Sequence, residues 1–341
     1  MISLPDEVQL DVLKYLTFNQ LFSVKQTNFY FRDLINKYEG QLTRKAFIEL
    51  SKINTNPCSS DKIIVPQFED VEFFVELFHL KEKWQEAIDR SIPLFLHNLE
   101  PKRKFVFVSA VDSDYEAYLL KFSNFQTDIY DMIFARYLLK QLFNCTFESA
   151  YFHISVFNPE MINILFDNDK TIPLQFNIQD ARIWANNATF ETVLKFSLNL
   201  ISHDLPTIYK HSDSLTINLE KVRISDQQKN ILLNILIDEG NKLPKIRFNG
   251  PKITKLYDPI INYITTSRDC SIVPEILLDF TTSLHFKLSE KAENVEVKKL
   301  RGLKYKNYQI SNIYNPKVRF SFSNSEDGEL TYCVRIRKME E

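Results

Sequence analysis

Glycine is scarce in this chain, at 5 of 341 residues. Glycine-rich phosphate loops and flexible linkers both need many backbone positions of positive φ, so neither organises this molecule. Cysteine is equally sparse: Cys58, Cys145, Cys270 and Cys333 are scattered, with no C-x-x-C pair. That pattern fits neither a disulfide framework nor a zinc site, and it suits a reducing compartment. No apolar run approaches the ~18 residues of a membrane span. The opening Met1–Glu7 segment is acidic where a secretory leader is basic and then apolar. A net charge of -2 supplies no global field toward nucleic acid or membrane. The expected location is cytoplasmic and/or nuclear, with no membrane partner.

Catalytic and metal-binding patterns are missing as well. G-x-S-x-G, G-x-x-x-x-G-K-[ST] and G-x-G-x-x-G do not occur, which removes the anchors for hydrolase, P-loop and dinucleotide-binding readings. The six histidines (His79, His97, His153, His203, His211, His285) never adopt H-E-x-x-H or another ligand spacing. His203 and His211 lie near Asp204 and Asp213, but the polar loop around Pro206 accounts for them. The sequence therefore predicts no enzyme: no catalytic residue, no metal and no cofactor.

What is abundant is apolar and aromatic material. Hydrophobic residues make up 44% of the chain, with 28 Phe and 15 Tyr, so large rings should dominate the core. A length of 341 residues suggests about two domains. The first forty residues read as three short helices. Ser3 is placed to cap the first, with Pro5 just inside it and Asp6 completing a capping box. Val8, Val12, Leu13 and Leu16 are expected on one face. Thr17 and Gln20 form a second capping box, ahead of Leu21, Phe22 and Val24. Asn28 caps a third helix whose Phe31, Leu34, Ile35 and Tyr38 repeat at helical spacing. A unit this small needs the rest of the chain or a partner to cover its apolar surface.

The stretch 41–103 reads as a mainly helical linker region, with a helix at Val71–Ala87 and a polar loop around Asn54–Lys62. From 104 onward, short β-like runs alternate with helices. The helical segments are Ile129–Phe143, one from Asn158-Pro159-Glu160, Phe190–Leu200, Asp226–Ile237 and Lys255–Ile264. The strand signals lie at Lys104–Val108, Tyr151–Val156, Leu174/Phe176/Ile178, Leu215/Ile217/Leu219, Ile246/Phe248 and Leu284/Phe286/Leu288. Units recurring every twenty-five to forty residues or so predict an irregular β-α solenoid with parallel strands. No Asn or Cys ladder follows the strands, so the repeat is only similar to a leucine-rich one. Val318, Phe320 and Phe322, then Asp327-Gly328, then Tyr332, Val334 and Ile336 predict a closing β-hairpin.

Ser3-Leu4-Pro5-Asp6-Glu7-Val8, followed by Val12-Leu13 and Tyr15-Leu16, resembles the opening of an F-box. Leu21-Phe22-Ser23-Val24-Lys25-Gln26-Thr27-Asn28 and Phe31-Arg32-Asp33-Leu34-Ile35 are similar to its second half. Thr17 stands where the family often has Pro, and Thr27-Asn28 fall in its usual Cys-Lys region; neither removes an apolar face. The resemblance implies docking to a Skp-family adaptor and, through it, to a cullin–RING scaffold. It assigns Leu4, Pro5, Glu7, Val8, Val12, Leu16 and Leu21 to the adaptor contact. The C-terminal region loosely resembles the divergent F-box families expanded in nematodes.

The expected fold class is α+β: an F-box at 1–40, the helical region at 41–103, and a β-α repeat substrate-binding domain at 104–341 closed by the hairpin. The expected function is a non-catalytic substrate receptor of a ubiquitin ligase, binding an unidentified target protein through residues the sequence leaves unassigned. Two other readings stand beside it. One is an interaction scaffold acting without a ligase. The other is nucleic-acid binding through the segment from Val295, which holds ten Lys or Arg against six acids and interleaves Tyr305, Tyr308 and Tyr314. Protection of a strand edge by Lys and Arg is the plainer account of that segment.

Overall fold

A computed structural model describes residues 4–38, 41–53, 62–64, 80–97, 105–153, 155–167, 174–202, 214–240, 242–285, 288–300, 303–327 and 330–339. Three helices open the chain: α1 (Asp6–Lys14), α2 (Phe18–Lys25) and α3 (Phe29–Lys37). Both halves of the Thr17/Gln20 capping box form on α2, and the Asn28 side chain accepts the Phe31 N–H at 2.9 Å on α3. The start of α1 differs from expectation. Pro5 is its N-cap, with ψ 150° in extended conformation, and it offers no side-chain acceptor to the helix. Ser3 lies outside the described residues.

The region expected as helical supplies strands instead. It contributes β1 (Lys45–Ile53) and β2 (Lys62–Ile64), then α4 (Lys81–Asp89) and β3 (Phe95–His97). Phe47 and Leu50 of β1 are both buried, three residues apart and so on opposite faces of the strand. The segment is held extended by pairing with Phe107–Val111 on one side and Cys145–Tyr151 on the other. Only the end of the expected Val71–Ala87 helix is seen, in α4. Residues 71–79 and most of the Asn54–Lys62 loop lie outside the described residues.

The remainder runs β4 (Phe105–Val111), β5 (Ala117–Ser123), α5 (Ile129–Phe143), β6 (Cys145–Phe152), β7 (Ser155–Phe157), α6 (Pro159–Phe166), β8 (Phe176–Asn186) and α7 (Phe190–Leu200). Then come β9 (Ile201–Ser202), β10 (Ser214–Lys221), α8 (Asp226–Asp238), β11 (Lys245–Asn249), a 3-10 turn at Ile253–Leu256, α9 (Tyr257–Thr266) and β12 (Glu275–His285). Four antiparallel strands end the chain: β13 (Glu293–Leu300), β14 (Leu303–Ser311), β15 (Arg319–Asp327) and β16 (Leu330–Lys338). The expected hairpin is β15–β16; its turn residue Gly328 is outside the described residues, as is Phe286 of the expected strand near Leu284.

One mixed sheet joins nearly all of these strands, in the order β13-β14-β15-β16-β12-β11-β10-β8-β6-β1-β4-β5-β2, while β3 pairs with β7 separately. Its middle is parallel. β6, β8, β10, β11 and β12 are laid down side by side in chain order, each following a helix. Antiparallel strands flank that middle on both sides, as β4–β5 beyond β1 and as β16 to β13 beyond β12. The fold class is therefore α+β: three helices, then a large mixed sheet with helices.

Helix starts in this part follow local chemistry. Asp128 caps α5, Asn158 caps α6 with Pro159 at the first turn, and Ser225 and Gln228 form a complete capping box on α8. The core between helices and sheet is aromatic, as composition suggested. Phe143 meets Phe176 at 4.8 Å between ring centres, Phe152 meets Phe196 at 4.9 Å, and Phe157 stacks on Phe176 at 5.1 Å. The three N-terminal helices close over a second, smaller core of Leu10, Leu13, Leu21, Leu34, Ile35 and Leu42.

Candidate functional site

Two surfaces carry the chemistry of this molecule, and α1 builds the first. An α-helix turns about 100° per residue, so Val8, Val12 and Tyr15 fall within about 60° of one another. Leu13 lies about 140° round from Val8, on the far side. The structure follows that geometry: Leu13 is 0% exposed in the small core, while Val8 is 44%, Val12 39% and Tyr15 90% exposed. The expected single stripe of Val8, Val12, Leu13 and Leu16 is thus two stripes, one facing inward and one outward.

The other residues assigned to the adaptor contact divide in the same way. Leu4 is 41% exposed, and Pro5 and Glu7 are exposed beside it. Leu16 is half-buried against the small core. Leu21 is 4% exposed and packs inside, so it supports the surface from within and presents little area of its own. Aromatic residues absent from the sequence-based set extend the outer surface, with Phe22 half-exposed and Phe29 largely so. Their exposure followed from burial of Leu21, Leu34 and Ile35, which spacing on a single helix does not reveal. Gln9 fixes the turn into α1, donating its side-chain amide to the Leu4 carbonyl at 2.6 Å while being itself buried.

The second surface is one face of the sheet. On β8, β10, β11 and β12 alternate residues are apolar and buried: Ala181 and Ile183, Leu215 and Ile217, Ile246 and Phe248, Ile276 and Leu278. The intervening positions point to the opposite face and are mostly polar. They include Asp180, Arg182 and Trp184 on β8, Lys245 and Arg247 on β11, and Glu275 and Asp279 on β12. The antiparallel β16 adds Arg335 and Arg337.

Ion pairs knit this face together. Arg182 meets Asp180 at 2.9 Å and Arg247 meets Asp279 at 3.4 Å. Glu275 serves three cations at once: Arg337 at 2.8 Å, Arg335 at 3.6 Å and Lys245 at 3.7 Å. The Arg182 guanidinium also lies over the Tyr151 ring at 5.4 Å, and His153 rests against Trp184 at 4.7 Å. An open concavity of about 410 Å³ lies here, lined by Arg182, Trp184, Lys245 and Arg247 among others. A second, of about 350 Å³, lies over β14 to β16 and reaches Arg335 and Arg337. Burial, with Asp279 adding to it, pushes the Cys333 thiol up to about 12. It stays protonated at neutral pH and is a poor nucleophile.

Much of the basic C-terminal segment is engaged within the sheet. Lys304 and Lys306 converge on the buried carboxylate of Glu326, at 3.2 and 2.6 Å, and Lys298 meets Glu296 at 3.0 Å. Tyr308 is buried, joined to Tyr257 of α9 by a 2.6 Å hydroxyl–hydroxyl hydrogen bond, and so offers no ring for stacking. Among the described residues, no group of three His, Cys, Asp or Glu is arranged to hold a metal ion. His203, His211, Asp204 and Asp213 fall outside those residues. No helix among the described residues is long and apolar enough to cross a membrane.

Comparison with known proteins bears on both surfaces. Residues 64–210 match a family model described as a domain of unknown function (DUF8381), which takes in the strands and helices from β2 to β9. No curated protein and no solved structure matches the chain. Residues 1–39, which span α1 to α3, match the F-box domain model, and this match supports an F-box protein.

Proposed function

We propose that this chain is the substrate-receptor subunit of a Skp–cullin–F-box ubiquitin ligase, docking to a Skp-family adaptor through α1 and its neighbours and holding a target protein on its sheet domain. The F-box itself suggests a ubiquitin-ligase adaptor role. The observation that carries the docking reading is the outward stripe of Leu4, Pro5, Val8, Val12 and Tyr15. These residues remain exposed although the same helix buries Leu10 and Leu13 in the core of its own unit. A contiguous apolar surface with no intramolecular cover is the mark of a partner site. Glu7 is a polar neighbour at its rim.

No bond-making step is assigned to this chain. Its contribution is proximity and orientation: it holds the target where the ubiquitin-transferring subunits reach it. The repeat-like addition of β6, β8, β10, β11 and β12 forms a broad platform, and its polar face is the reading's target-binding surface. Protein is favoured over nucleic acid as the cargo, because Lys304 and Lys306 of the basic C-terminal segment are drawn onto the buried carboxylate of Glu326 and the Tyr308 ring is buried.

The test is co-purification of a Skp-family adaptor with the wild-type chain and with the Leu4→Ala/Pro5→Ala double variant. The variant should lose the adaptor while the sheet domain keeps its circular dichroism. Undiminished recovery of adaptor sinks the docking claim. Accumulation of ubiquitylated partners on proteasome inhibition separates a ligase from a scaffold that uses the adaptor alone.

A further inference from the structure

The polar sheet face carries a pattern that ion-pair distances alone do not reveal. Registers across the sheet align Arg182 with Thr216, Thr216 with Arg247, Arg247 with Leu277, and Leu277 with Arg335. The row continues to Tyr151 at one end and Ser323 at the other. Arginine therefore occupies every second strand of five. Neighbouring strands stand about 4.8 Å apart, so successive arginines are rooted about 10 Å from one another.

This row contains no carboxylate between Tyr151 and Ser323. The acids that meet its arginines stand two positions away along the strands: Asp180 before Arg182, Glu275 before Leu277 and Asp279 after it. Glu275 is divided among three cations. Each arginine of the row keeps between 40% and 48% of its side chain exposed. Leu277, buried between two of them, forms an apolar floor, and Thr216 places a hydroxyl-bearing side chain in the row.

An extended chain in the polyproline II conformation rises about 3.1 Å per residue with three residues per turn. Its side chains at i, i+3 and i+6 therefore leave one side of the chain about 9.3 Å apart. That period matches the spacing of alternate strands. We infer that Arg182, Arg247 and Arg335 bind an extended acidic segment of the target protein that lies across the strands, carrying Asp or Glu at every third residue. The inference rests on the proposed role of the sheet domain as the target-holding part. Guanidinium pairs with carboxylate through two parallel hydrogen bonds, so each arginine reads position as well as charge. A nucleic-acid strand fits the row poorly. It carries a phosphate charge on every nucleotide, more closely spaced than the arginines, which would set charges over Thr216 and the buried Leu277 as well as over the arginines.

The experiment uses the full-length chain and fluorescence anisotropy with labelled peptides of roughly twelve residues, long enough for four turns of polyproline II. One peptide repeats Asp-Pro-Pro; a second holds the same residues with the aspartates in one block; a third replaces Asp with Asn. Single-stranded DNA of similar length is the competitor. The periodic acidic peptide should bind about tenfold more tightly than the blocked one, with no measurable binding of the Asn peptide. The Arg182→Gln/Arg247→Gln/Arg335→Gln variant should weaken it by about tenfold or more. Thr216→Glu, which inserts a negative charge while leaving every arginine in place, should do the same and guards against misfolding of the triple variant. Equal binding of the blocked or neutral peptide, unaltered affinity in both variants, or displacement by DNA overturns the inference. Adaptor co-purification is followed in the same samples. Its loss in the wild type counts against the ligase reading and not against the row, whereas failure of the peptide series alone counts against the row.

Discussion

Gln9 of α1 and Tyr30 of α3 exchange hydrogen bonds: the Gln9 amide donates to the Tyr30 hydroxyl at 2.7 Å, and that hydroxyl donates to the Gln9 side-chain carbonyl at 3.0 Å. The same amide holds the Leu4 carbonyl. One buried glutamine thus ties the first helix to the third and sets the approach of Leu4 and Pro5.

Removing the hydroxyl leaves the Gln9 carbonyl without that donor inside a small core. Tyr30→Phe should destabilise the three-helix unit by about 1–3 kcal/mol. Hydrogen exchange of the α1 amides is the readout, and protection in β10 and β11 should not change. Equal protection of α1 in wild type and variant would refute the tie.

The two stripes of α1 separate docking from folding. Val12→Glu lies on the exposed side and should shift stability by no more than about 0.5 kcal/mol while reducing adaptor binding at least tenfold or so. Leu13→Ala, on the buried side, should cost about 2–5 kcal/mol of the unit's stability. Calorimetric titration against a purified Skp-family adaptor, together with thermal melts of each variant, distinguishes the two effects. Similar behaviour of both variants would mean that the division is wrong.

Gly240 ends α8 where the chain runs against β12's approach. A Cβ at this position would lie 2.8 Å from the backbone N and C of Ile272, and backbone gives way less readily than a side chain. Gly240→Ala should therefore destabilise the sheet domain by about 1–3 kcal/mol, as overpacking does. Urea unfolding followed by tryptophan fluorescence measures it, and a midpoint equal to the wild type's would contradict the close approach.

Alkaline stability follows from the buried tyrosine pair. Burial pushes Tyr257 up to about 12, with Asp258 adding to the rise and the Tyr308 hydrogen bond opposing it. Burial and then Tyr257 raise Tyr308 further still. Both native hydroxyls hold their protons while the unfolded chain releases them near its ordinary pKa of 10. The stability they contribute is therefore fully present below about pH 10 and is lost as pH rises through the folded values. Urea midpoints should be level from pH 7 to about 9.5 and fall above 10. The fall should be shallower in Tyr308→Phe, which has one less proton to withhold; an equal slope would remove the pair as its cause.

Several elements were legible because their signals are local. The Thr17/Gln20 box, the Asn28 cap, and the spans of α5 and α7 depend on residues within a turn of one another, and they stand where the sequence put them. β1 was missed because Lys45–Ile53 owes its conformation to pairing with β4 and β6, which lie about 55 and 100 residues further along the chain. β13 and β14 were missed for a related reason. Every described residue of β13 is exposed, so no apolar alternation announces it, and it exists by pairing with β14.

By itself the sequence determined the F-box helices, the parallel β-α order and the absence of familiar catalytic motifs, since each is written in short-range spacing and caps. Only the tertiary structure decided which apolar residues of α1 face outward, because burial depends on where α2 and α3 close over Leu13 and Leu21. It also decided that Arg182, Arg247 and Arg335 share one row. Those residues are far apart in the chain, and only the register of five neighbouring strands, set by many hydrogen bonds acting together, brings them into line.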